Sequence, residues 1–207
     1  MDFEYKGGNC VVITSKQATV VVDGKLSLLG LKDVQPKGAV EIATQEEFVV
    51  PGGRVTVDMP GEYEVENVSI KGVAAMRMID HDDVRRTTMY RIVFPDITVG
   101  VIGHVASPLS DDQLEDLGMI DVLITPVGGG GYTLDASLAV DVVNKIGPKV
   151  VIPTHYADEK LAYEVPQDDL KPFLDELGAA HEATTKWKIK GSALPEAQTV
   201  VELTRTA

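Results

Sequence analysis

Midway along this chain the hydrophobic pattern changes period, and any fold must accommodate that change. Cys10-Val11-Val12-Ile13-Thr14 and Thr19-Val20-Val21-Val22-Asp23 are short β-branched runs on either side of a polar Ser15-Lys16-Gln17 turn. They form a hairpin pattern in which Gly24 closes the second strand. Runs of the same kind recur at 39–43, 54–58, 68–74, 88–94 and 98–102, broken by Pro51-Gly52-Gly53, Met59-Pro60-Gly61 and Pro95-Asp96. Their spacing predicts packed antiparallel sheet. From Ser110 onward the pattern is different. Ser110-Asp111-Asp112-Gln113 reads as a capping box ahead of Leu114 and Leu117, with Gly118 as the stop. The apolar run 120–125 reads as a strand buried on both faces. Asp135 reads as the N-cap of a helix that buries Ala139, Val142, Val143 and Ile146 and ends at Gly147-Pro148. Another buried strand covers 149–153. A third helix carries Leu170, Phe173, Leu174 and Leu177, and 186–190 and 199–203 close the chain as strands. Sheet inside and helices outside is the architecture this order favours.

The chain has 207 residues with no linker or low-complexity tract, which predicts one domain over 1–207. Hydrophobic residues at 44% and charged residues at 25% suit a globular chain rather than a disordered one. Acidic residues outnumber basic ones 32 to 19, for a net charge of −13. That excess argues against binding to nucleic acid or an anionic membrane, since phosphate neutralisation needs clustered Lys and Arg. Cys10 is the single cysteine, which excludes an internal disulfide framework and cysteine-rich metal modules. No apolar run approaches the ~20 residues of a membrane span, and the opening MDFEYKGG is acidic, unlike a signal peptide. A cytoplasmic location is the expectation.

Three segments together resemble a known family. They are Gly7-Gly8-Asn9-Cys10-Val11-Val12-Ile13 leading to Val21-Val22-Asp23; Pro60-Gly61-Glu62-Tyr63-Glu64-Val65 followed by Val68-Ser69-Ile70-Lys71-Gly72-Val73; and a third that begins Asp121-Val122-Leu123-Ile124-Thr125-Pro126-Val127-Gly128-Gly129. The third continues through Asp135-Ala136 to Val151-Ile152-Pro153-Thr154-His155-Tyr156. In this order they look like the metallo-β-lactamase superfamily, in the branch of Zn-dependent hydrolases near the L-ascorbate-6-phosphate lactonase-like proteins. The resemblance implies an α/β fold, a four-layer αββα sandwich. It also implies a site in which a His-x-His-x-Asp-His motif, a bridging Asp and two further His hold one or two zinc ions. Bound water would then lose a proton near neutral pH and act as nucleophile.

The ligand positions carried over from that resemblance are mostly filled by other residues. Thr44-Gln45-Glu46-Glu47-Phe48 stands where the His-rich motif would be, with Gln45 and Glu47 at its first two histidines or the motif deleted. Arg77 stands for the histidine after the Gly72-Val73 strand, and Gly103-His104 for the Gly-Asp pair of the bridging ligand. Only His155 matches. The pocket residues expected from this correspondence are Arg77, His104, Asp135 and His155. Arg77 is expected to occupy the space and charge of the missing zinc, to hold a small anionic ligand by bidentate hydrogen bonds, or to be a solvated arginine at a strand end.

No cofactor is expected, and zinc only if His104 and His155 rebuild a site with help from Asp135, Glu47 or Asp58. Two imidazoles more than ~6 Å apart and both pinned by protein hydrogen bonds would exclude that rebuilt site. The reading is a relative that has lost hydrolytic zinc chemistry and serves as a binding or interaction protein. The alternative is a hydrolase of a small phosphorylated lactone or ester with an unusual ligand set. The Gly128–Gly131 loop lacks a phosphate-binding signature. His81, in an Asp-rich loop with Arg85 and Arg86 behind it, reads as solvated. His181 reads as part of a loop after the third helix, Glu62 and Glu64 as part of a turn, and Cys10 as a buried, inert thiol.

Overall fold

Alternation along the strands sends every second side chain into one shared layer. In the computed structural model, residues 1–80, 86–190 and 193–206 are described. The chain runs β1 (Asp2–Gly7), β2 (Cys10–Thr14), β3 (Thr19–Val22), a 3₁₀ turn at Leu26–Leu29, β4 (Val40–Ile42), β5 (Val55–Val57), β6 (Gly61–Val65), β7 (Val68–Ala75), β8 (Thr87–Val93) and β9 (Thr98–Val101). It continues with α1 (Asp111–Leu117), β10 (Val122–Pro126), α2 (Ala136–Ile146), β11 (Val150–Thr154), α3 (Leu170–Leu177), β12 (Ala180–Thr184), β13 (Trp187–Lys188) and β14 (Thr199–Leu203).

Two sheets result. One has the order β13-β1-β2-β3-β4-β5 and the other β12-β14-β11-β10-β9-β8-β7-β6. Val11, Ile13, Val20, Val22, Val40 and Ile42 point from the first sheet into the second, where they meet Ile70, Tyr90, Ile92, Val101, Ile124 and Ile152. Tyr90 ties the layers with a hydroxyl that donates to the carbonyls of Ala43 at 2.8 Å and Val57 at 3.2 Å. The outer face of the eight-stranded sheet buries Met89, Leu123 and Val151 against Leu117, Ala139, Val143 and Phe173 from the helices. The outer face of the six-stranded sheet has a thinner cover. Cys10, Val12 and Val21 pack under Leu26, Leu29, Leu31 and Val34 of the 3₁₀ turn and the chain after it. Cys10 is buried there, and burial pushes its thiol pKa up, consistent with an inert side chain.

The helix caps follow the sequence. Ser110 and Gln113 form both halves of a capping box, the Asp135 side chain accepts from the Leu138 amide, and Gly118, Gly147 and Gly178 end the three helices. Three expectations need correction. The early strands are not all antiparallel. β3 with β4 and β4 with β5 pair in parallel, because the segments between them cross over instead of turning back. Glu62 and Glu64 lie in the edge strand β6 rather than in a turn, and His181 lies in the edge strand β12 rather than in a loop. The His181 Nε2 sits 2.9 Å from Glu202 of β14. Both edge strands are largely exposed and short on apolar residues, so neither shows the hydrophobic run that marks a strand in sequence. His81 lies outside the described residues. Among the described residues, no helix is long and apolar enough to cross a membrane.

Candidate functional site

The strands β9, β10 and β11 run parallel, so the loops that leave their carboxyl ends converge on one edge. Open parallel sheets form their ligand crevices at that edge. His104 leaves β9, the Gly128–Gly131 loop leaves β10, and His155 follows β11 directly. The chain turns sharply at each place. Gly103 has φ +64, and a Cβ there would crowd the Thr44 side chain at 2.9 Å. His155 has φ +51, a left-handed backbone that costs an L-residue roughly 1–2 kcal/mol. It is held there by its amide N–H, which donates a hydrogen bond to the Gly8 carbonyl at 2.9 Å. Gly128 lies directly beneath the His155 carbonyl, where no side chain fits.

The loops bring His104 and His155 together. Their ring centroids are 4.6 Å apart and nearly perpendicular, with Phe48, Tyr132 and Tyr163 packed around them. The cavity beside them measures about 90 Å³ and is walled by Asn9, Asp23, Glu47, His104, His155 and Gln167 among others. That is room for a few waters or a small group.

His104 has no free lone pair. Arg77 donates to Gln45 Oε1 at 2.9 Å, which fixes the Gln45 amide. Its Nε2 therefore donates to His104 Nδ1, 2.9 Å away, and the ring proton sits on Nε2. That N–H faces the Asn9 amide at 3.2 Å, and the other end of the same amide lies 3.2 Å from Thr154 Oγ1. Two N–H groups cannot face each other, so Asn9 meets His104 with its oxygen and Thr154 with its nitrogen, which takes the Asn9 N–H away from the Asp23 carboxyl and favours its protonated form. Burial, with smaller contributions from His155 and Arg77, holds the His104 pKa well below the ordinary value, so the ring is neutral.

His155 is built the other way. Gln167 Nε2 donates to the Val165 carbonyl at 3.0 Å, which turns Oε1 toward His155 Nδ1, also at 3.0 Å. The His155 proton is thus on Nδ1, and among the described residues Nε2 has no partner. Burial pushes its pKa down to about 4, partly opposed by Gln167, so this imidazole is also neutral.

The element that would carry a His-rich motif is tied into the floor instead. Asp23 accepts the Thr44 amide at 2.7 Å and the Thr44 hydroxyl at 2.8 Å. Burial raises the Asp23 carboxyl to about 7, against the pull of those two bonds. Gln45 is buried, whereas Glu47 is exposed at the cavity rim.

Two of the four expected pocket residues stand elsewhere. Arg77 is one layer behind the wall. Its guanidinium is committed to Asp80 at 2.9 Å, to Gln45 and, more distantly, to Glu47 at 3.9 Å, so it is neither a solvated arginine nor a free anion clamp. Asp135 is spent on the cap of α2 and packs beside Gly129 without lining the cavity. Asn9, Asp23, Tyr132, Tyr163 and Gln167 are site residues that the sequence reading missed. A lone aspartate at the end of the Val-Val-Val run and an Asn after paired glycines were the only signals available.

The chain matches the beta-lactamase superfamily domain over residues 2–155, and it belongs to that superfamily. The structure has the metallo-β-lactamase fold. It is similar to a Thermotoga maritima protein described as a Zn-dependent hydrolase of the metallo-beta-lactamase superfamily, at 25% identity and TM-score 0.79 over 98% of each chain. A metallo hydrolase from the archaeon Ignicoccus hospitalis shares 14% identity, with TM-score 0.64 over 99% of this chain and 94% of that one. A metallo-beta-lactamase fold protein from Bacillus subtilis shares 11%, with TM-score 0.55 over 99% and 96%. No curated protein matches the chain.

The family's zinc does not suit the donors present. A zinc centre needs several lone pairs from imidazole, carboxylate or thiolate converging on one point. Here His104 has spent both nitrogens on amides, and His155 Nε2 is the one imidazole lone pair left over among the described residues of the site. Among the described residues, no group of three or more His, Cys, Asp or Glu is placed to hold a metal ion. The rebuilt His104/His155 site meets the distance condition, at 4.6 Å between ring centroids, and is opposed by the hydrogen bonds on both rings.

Proposed function

We propose that this member of the superfamily is a binding protein in which the hydrolytic metal centre has been replaced by a hydrogen-bonded protein network. The observation that carries this reading is the relay from Asp80 through Arg77 and Gln45 to His104. It fills the space with an amide, and the Gln45 N–H occupies the His104 lone pair that a metal would need. Releasing His104 for a metal would leave the buried Gln45 Nε2 without its partner, which costs about 1–3 kcal/mol. The cavity that remains is lined with neutral imidazoles and aromatic rings, a composition suited to holding a ligand.

Elemental mass spectrometry on untagged protein, purified and then dialysed against zinc, tests the reading. The expected result is metal at background both in the wild type and in a His155→Ala variant. Near-stoichiometric zinc that disappears in His155→Ala contradicts it and restores the alternative, a metal-dependent hydrolase of a small phosphorylated lactone or ester with an unusual ligand set around His104 and His155.

A further inference from the structure

The cavity wall also specifies a kind of ligand. His155 is 5% exposed, and its Nε2 lone pair has no partner among the described residues. That lone pair opens onto the cavity, where a donor from a ligand can meet it. The rings of Tyr163, at 4.7 Å from His155, and of Tyr132 and Phe48 stand on the same wall. Aromatic faces attract a cation. The charges agree. Glu47 and Glu164 are at the rim, while Asp23 at the floor, raised to about 7 by burial and with both oxygens bonded to Thr44, carries no full charge at neutral pH. Among the described residues, Lys25 is the one cationic residue on the wall, and the Arg77 guanidinium behind it is paired with Asp80.

Resting on the reading of the site as a metal-free binding pocket, we propose that it takes a small organic cation, a primary ammonium on a short apolar body. The ammonium donates to His155 Nε2 and faces the carboxylates and rings. A cavity of about 90 Å³ holds the head and the first carbons, and the body leaves past Leu28, Leu29 and Val165 at the mouth. Leu28 is 49% exposed there, which leaves apolar surface for that body to cover. An anion of the same shape meets two rim carboxylates and an acceptor, with Lys25 alone in its favour.

The test compares near-isosteric probes. The full chain is titrated at neutral pH with n-butylammonium, 1-butanol and butyrate, and binding is read from the ring NMR signals of His155, Tyr132 and Tyr163. The expected result is saturable binding of n-butylammonium at least roughly ten-fold tighter than butyrate, with 1-butanol between. Glu47→Gln, at an exposed site, weakens the ammonium several-fold, and Lys25→Ala tightens it. Butyrate binding as tightly as the ammonium, or no saturable shift with the ammonium, overturns the proposal. Zinc in the purified protein would instead defeat the metal-free reading beneath it, so the two failures are distinguishable.

Discussion

A Gly128→Ala variant is expected to lose ~3 kcal/mol or more of stability, because the new methyl group would overlap the carbonyl oxygen of His155 and neither backbone can retreat. The His155 amide is bonded to Gly8 and the Gly128 carbonyl accepts the Asp168 amide at 2.7 Å, so both strand ends are anchored. For a chain of this size that corresponds to a drop in Tm of about 6–12 °C. Gly131→Ala is the control. Gly131 has φ +71 and nothing within 4 Å of the position a methyl group would take, so only the left-handed backbone penalty of roughly 1–2 kcal/mol applies. Thermal unfolding of the two variants side by side separates close approach from backbone handedness. Equal losses would mean that the contact between the Gly128 loop and His155 is not what holds the site together.

The second large effect concerns Asp23. Its carboxyl has a folded pKa of about 7 against an ordinary value of 3.8, raised by burial and held back by its Thr44 bonds. A raised carboxyl pKa means the unfolded chain loses the proton first. Stability from this group is therefore greatest below pH ~4 and falls as pH rises to about 7, after which the penalty is complete. Asp23→Asn keeps the shape and an acceptor for the Thr44 amide, and removes the titration. The stability of the variant minus that of the wild type should be flat below pH ~4 and rise toward pH 8, by roughly 4 kcal/mol at most. Urea unfolding at several pH values measures that difference. A pH-independent difference would mean that Asp23 ionises in the folded protein as easily as in water.

Much of the fold could be read from residue patterns because its signals are local. β-branched runs, a capping box and Gly stops act within a few residues, and they located β2, β3, β7, β8, β10, β11 and all three helices. The edge strands β6 and β12 escaped because Glu62, Glu64, His181 and Glu182 face solvent and leave no apolar alternation to find. Parallel pairing of β3 with β4 escaped because register depends on where a crossover lands, which no short motif encodes.

The site divided along the same line. His104 and His155 were placed correctly at strand ends, since strand termini and family order locate them. What each histidine does depends on second partners distant in sequence: Asn9, Gln45 and Arg77 for one, Gln167 for the other. Arg77 looked like a free charge until Asp80 and Gln45 accounted for it. The expected anionic ligand loses its clamp for that reason.

The central claim is that His104 has no lone pair to give. Nitrogen-15 NMR of the histidine rings, recorded before and after adding one equivalent of zinc, tests it most directly. The account predicts His104 neutral with its proton on Nε2 and a hydrogen-bonded Nδ1, His155 neutral with its proton on Nδ1, and a His104 pattern that zinc leaves unchanged. A His104 nitrogen that shifts to a metal-bound value on addition of zinc would contradict the account.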